Sequence, residues 1–174
     1  MLQAKQIDFY ANDNNYSEVQ TIALKLNSIG IRAQVFNTIN TVYLEHINPQ
    51  ETLAFVVSHS GSNKTMIDAA YALRKKRIRV IGLTGRLSQD LELVCNENLY
   101  IDAYSHHLPH SIMLYGLSIH FIFDVLYTSL YFKKIKGTST VLYFYDCGTA
   151  ASPAKLTFSY TSGGTRPAHF YSGY

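Results

Sequence analysis

Short apolar runs alternate with stretches of helical period along the first two thirds of the chain. "QIDFY" (6–10), "IRAQVF" (31–36), "LAFVV" (53–57), "IRVIGLTG" (78–85) and "NLYIDA" (98–103) read as strands. The runs at 53–57 and 78–85 lack polar alternation, which predicts strands buried on both faces. Between them, "SEVQTIALKLNSIG" puts Val19, Ile22, Ala23, Leu26 and Ile29 on one helical face, with Ser17 placed to cap the start and Gly30 the end. "TMIDAAYALRKKR" turns Met66, Ala69, Ala70 and Leu73 inward, and "SQDLELVCN" predicts a short helix. Strands alternating with helices specify an α/β protein, a three-layer α/β/α sandwich with a central parallel sheet of flavodoxin-like type. Ligands of such sheets bind beyond the carboxyl ends of the strands.

Residues 111–132, "SIMLYGLSIHFIFDVLYTSLYF", form a mainly apolar stretch of 22 residues and precede "KKIK". That length would span a bilayer, but His120 and Asp124 lie in the middle, and a central Asp costs about 2.5–3.5 kcal/mol on insertion. The stretch is read as a long helix buried at a subunit contact, outside any membrane. His120 and Asp124, four apart, would share one face as a polar pair, and Tyr71, Tyr115 and Tyr127 would serve core or interface. Hydrophobic residues make up 47% of the chain and charged ones 16%, so apolar surface is expected to be covered between subunits, as in a homodimer.

A net charge of +3 is too small to imply a nucleic-acid-binding surface, and most basic residues are interleaved with acidic ones. The one basic run, "RKKRIR" (74–79), is read as the solvated last turn of a helix, the alternative being a phosphate-contacting or targeting patch. Cys95 and Cys147 are isolated, which gives neither a disulfide framework nor a zinc site and fits a reducing cytoplasm. "MLQAKQIDFY" lacks the pattern of a signal peptide. From Gly137 the composition changes: residues 137–174 carry few charges and no helical period, and only "TVLYFY" and "KLTFSY" resemble strands. Two parts are expected, a domain over 1–136 and an atypical tail over 137–174, forming a hairpin or disordered.

The candidate chemistry lies in "SHSGSNKT" (58–65), on the turn that leaves a buried strand and enters a helix. A helix start offers unpaired amides and partial positive charge. Ser58, Ser60, Ser62 and the Asn63 amide would add uncharged donors, and Gly61 lets backbone approach closely. A sugar phosphate suits such a cradle; the alternative is a serine-rich turn that only caps the helix.

"FVVSHSGSNKTMIDAAYALRKKRIRVIGLTG" (55–85) resembles the sugar isomerase (SIS) domain, with its buried strand, Ser-x-Ser-Gly loop, helix, and strand ending in threonine. "FDVLYTSLYFKK" (123–134) is similar to the last helix of SIS domains in RpiR-type transcriptional regulators. The resemblance implies that Ser58, His59, Ser60 and Asn63 bind the ligand's phosphate. It also departs from the family. The Gly-x-Gly-x-Ser turn after the first strand is replaced by "ANDNN", with Ala11, Asp13 and Asn15 at its three positions, and a carboxylate at 13 repels phosphate. Asn15 remains a candidate ligand residue.

RpiR-type regulators carry an N-terminal helix-turn-helix, whereas these residues begin at a first strand. The expectation is a carbohydrate-derivative-binding effector domain of an RpiR-like regulator without its DNA-binding half, meeting DNA only through that missing domain. The alternatives are a phosphosugar aldose-ketose isomerase and a degenerate SIS dimerisation module. The isomerase would need a base near neutral pKa, yet no Glu follows Glu97; His106, His107 and His110 could substitute. Pro109 interrupts that histidine group and no carboxylate completes it, so no metal, cofactor or catalytic residue is expected.

Overall fold

The computed structural model describes residues 4–85, 88–101 and 111–136. Five parallel strands, β1 (Gln6–Ala11), β2 (Arg32–Phe36), β3 (Thr52–Ser58), β4 (Arg79–Thr84) and β5 (Glu97–Tyr100), form one sheet in the order β2-β1-β3-β4-β5. The helices are α1 (Asp13–Ser28), α2 (Thr41–His46), α3 (Lys64–Lys75), α4 (Asp90–Val94) and α5 (Ser111–Lys136). The chain divides into two compact units between Asp124 and Val125. The first unit holds the sheet; within the second, Tyr127 and Tyr131 stack at 6.3 Å along the last turns of α5. Residues 102–110 and 137–174, with His106, His107, His110, Cys147, the end of the fifth expected strand and the tail, lie outside the described residues.

The expected sandwich is present. All seven residues of β3 are buried, as its unbroken apolar run requires. On one face Tyr10, Ala54, Val56 and Val80 meet Leu44 of α2, Met66, Ala69, Ala70 and Leu73 of α3 and Leu91 of α4. On the other, Phe9 and Phe55 stack at 5.6 Å, and Phe123 of α5 meets both edge-on at 5.2 and 5.0 Å. Such aromatic pairs add about 0.5–1.5 kcal/mol each beyond their burial.

α1 and α5 share that face. His120 bonds Glu18, and Lys25 pairs with Asp124. Each of the two polar residues in the apolar α5 run thus has a partner on α1, and Tyr115, Ile119 and Phe123 bury the same side of the helix. The stretch 112–133 has a mean hydropathy of 1.4, and its other side leaves Met113, Leu117 and Phe121 exposed.

Three details correct the sequence reading. α1 starts at Asp13 after Asn12, so Ser17 lies inside the helix and caps nothing. α2 was not foreseen; six residues are too few for a period, and its signal is Asn40, whose side chain accepts the amide of Tyr43 at 3.0 Å. Of the core or interface roles expected for Tyr71, its 65% exposure removes the first. Gly30 acts as expected: at φ 72° it lets the amides of Gly30 and Ile31 return to the carbonyls of Asn27 and Leu26.

Candidate functional site

The strand order reverses between β1 and β3, because the chain runs from β1 to one side through β2 and then returns to build the other side from β3. Loops leaving the carboxyl ends of two such strands diverge and open a crevice. A cleft of about 200 Å³ lies there, lined from the β1 side by Asn12–Asn15 and from the β3 side by Ser58, His59, Ser60 and Asn63, with Ile112 of α5 at its margin. Ala11 and Val57 are register partners, so the two loops start side by side.

The serine loop is built by its own hydrogen bonds. Ser58, 4% exposed, accepts the amide of Gly61 on its hydroxyl oxygen at 3.2 Å. Ser60 accepts the amide and the hydroxyl of Ser62 at 3.2 and 3.0 Å. Accepting leaves each of these two hydroxyls a hydrogen to donate, whereas that of Ser62 is already used. Asn63 caps α3 through Oδ1, which accepts the amide of Met66 at 3.2 Å; its NH2 group keeps two donors. The amides of Lys64 and Thr65 open the helix and have no intrahelical carbonyl to bond. Cap and cradle are therefore compatible roles for one loop.

Gly61 serves the scaffold. At φ 75° it is left-handed, and a Cβ there would meet the Ser88 carbonyl oxygen at 2.6 Å and Thr84 Oγ1 at 2.8 Å. The close approach it allows is to the segment entering α4, where its carbonyl accepts the amide of Leu91 at 3.0 Å. Of the sequence candidates, Ser58, His59, Ser60, Asn63 and Asn15 line the cleft; Gly61 and Ser62 shape the loop and do not line it.

His59 meets Tyr115 edge to face at 4.7 Å, and the Tyr115 hydroxyl donates to the Leu83 carbonyl at 2.8 Å. Burial raises the phenol's pKa, so it stays a neutral donor. Nothing in the sequence marked this support of the loop by α5. Asp13, exposed at the lip of the cleft, adopts φ 53° at one of the two places where the resemblance puts glycine. The backbone of that turn is left-handed with a carboxylate in place. Among the described residues no group of three or more His, Cys, Asp or Glu could hold a metal ion.

The sheet order and the cleft at its reversal define an α/β protein of the doubly wound, parallel-sheet class. The family model of the SIS domain matches residues 1–129, and the chain belongs to that family. Among solved structures it is similar to the Vibrio vulnificus NanR protein complexed with ManNAc-6P, at 25% identity and a TM-score of 0.65, covering 78% of this chain and 52% of that one. The sugar isomerase domain of an RpiR transcription factor from Sphaerobacter thermophilus shares the fold at 15% identity and a TM-score of 0.63, covering 78% and 74%. So does a Methanococcus jannaschii protein described as inferring a 3-hexulose-6-phosphate isomerase, at 14% identity and a TM-score of 0.61, covering 78% and 73%. The chain spans about half the length of NanR. No curated protein matches it.

Proposed function

We propose that the chain is a sugar-phosphate-binding effector domain of an RpiR-like transcriptional regulator, working in the cytoplasm as a homodimer. DNA is read by a helix-turn-helix domain outside these 174 residues. The observation that carries this reading is the serine-lined cleft at the strand reversal, which Asn63, the N-cap of α3, also lines. The ester's phosphate takes donors from Ser58, Ser60, the Asn63 amide and the amides of Lys64 and Thr65. Asn15 and His59 face the sugar. The likeness to NanR, whose structure holds ManNAc-6P, supports a phosphorylated sugar as ligand. The exposed side of α5, with Met113, Leu117 and Phe121, is the surface for the second subunit.

Sensing is favoured over isomerisation by the cleft's titratable groups. Among the described residues these are Asp13, on the lip, and His59, whose ring packs against Tyr115. No glutamate among the described residues lines it. Incubating the protein with aldose and ketose phosphates should give binding without turnover. Turnover abolished by Ser60→Ala would reject the sensor and install the isomerase.

A further inference from the structure

The pole of the sheet opposite the cleft, where the strands begin, carries a concentration of positive charge that the cleft does not use. Arg32 opens β2 and Arg79 opens β4, three strand spacings apart or about 14 Å. α3 ends at the same pole with Arg74, Lys75, Lys76 and Arg77, all exposed. Glu97 neutralises Arg79, and the Arg74 guanidinium donates to the Val94 carbonyl, which leaves its charge uncompensated. Among the described residues, no ion pair involves Lys75, Lys76 or Arg77.

Helix-end electrostatics accounts for Arg74 and Lys75, which lie in the last turn. It does not account for Arg77. That residue sits beyond the helix at φ 63°, with its amide on the Arg74 carbonyl and the next amide, Ile78, on that of Leu73. Glycine is the residue this geometry favours, since any side chain there is strained. The sequence puts a cation in the strained position, next to two others, and a local rule broken without local gain points to use of the side chain.

We propose that this rim, centred on Lys75, Lys76 and Arg77, docks on the phosphodiester backbone of duplex DNA. The charges are long, exposed and consecutive. Protein interfaces centre on apolar or aromatic anchors, whereas sequence-independent DNA contact needs only cations spaced along a line of phosphates. The inference rests on charge layout and not on the cleft, so the two readings fail separately.

The test is fluorescence anisotropy of the full chain with a labelled 30-base-pair duplex of arbitrary sequence. About four phosphate contacts predict a log–log salt slope near −3.6, roughly a hundredfold loss of affinity between 50 and 200 mM salt. Lys75→Glu with Lys76→Glu should weaken binding at least tenfold with an unchanged circular dichroism spectrum. Arg77→Gly should weaken it severalfold while raising the melting temperature, an opposition that a purely structural residue would not show. Absence of binding at 50 mM salt, or binding indifferent to these changes, overturns the proposal. So does loss through Lys133→Glu and Lys134→Glu on α5 instead, or equal binding of polyglutamate, which would assign the rim to an acidic protein.

Discussion

The ring of His59 and the ring of Tyr115 meet edge to face at 4.7 Å, while the Tyr115 hydroxyl reaches past the loop to the Leu83 carbonyl at 2.8 Å. One side chain of α5 thus holds both the serine loop and the end of β4. Tyr115→Phe keeps the ring contact and removes one hydrogen bond to a buried strand carbonyl, so a loss of about 1 kcal/mol in urea unfolding is expected, with phosphosugar affinity within twofold of wild type. Tyr115→Ala removes the ring as well and should cost about 3–5 kcal/mol.

Asp13 combines a left-handed backbone with a carboxylate beside the cleft. Asp13→Gly should stabilise the fold by about 1 kcal/mol and also tighten phosphosugar binding at least about fivefold, since a charge at such distances is worth about 1 kcal/mol or more. Asp13→Asn separates the two effects. It should reproduce the gain in affinity, read by calorimetry, with most of the strain retained.

Gly61→Ala should destabilise the protein by about 2–4 kcal/mol, because the new Cβ adds a strained φ to a clash with the Ser88 backbone. A smaller loss in chemical denaturation would mean that the loop and the α4 entry move apart freely.

How much of this was legible follows from the length of each signal. The all-buried β3 announces itself by an unbroken apolar run, and Gly30 marks the end of α1 because only a few residue types suit φ 72°. The serine loop was legible as chemistry, since its residue types are those a helix start and an anion both use. The start of α1 was not: Asn12, Asn14, Asn15 and Ser17 are all capping types, and only the turn at Asp13 decides among them. The packing of Gly61 against Ser88 and Thr84 was not legible, because those neighbours lie more than twenty residues away. Asp8, alternating with apolar neighbours in β1, gives no sign of complete burial. Its environment is made by a tertiary partner, Tyr43 at 2.9 Å, together with Gln6 of the same strand at 2.8 Å.

Asp8 should leave a mark on the pH dependence of stability. Burial raises its pKa above 3.8, and the bonds from Gln6 and Tyr43 offset this only in part. The folded state therefore holds the proton where the unfolded state has released it, and the Asp8 contribution falls as pH rises from about 4 through the folded-state value. Asp8→Asn removes that term. The stability of wild type minus variant should decline over this interval and then level off. A difference that stays flat, or rises, would show that the hydrogen bonds outweigh the burial.

The most direct test is isothermal titration of the protein with hexose and N-acetylhexosamine 6-phosphates, repeated on Ser60→Ala and on Asn63→Ala refolded to the wild-type spectrum. The serine cleft predicts saturable binding of at least one phosphosugar, no comparable binding of its unphosphorylated parent, and at least a tenfold loss in Ser60→Ala. Absence of heat and of any melting shift at millimolar ligand, or binding that both variants retain in full, would contradict it.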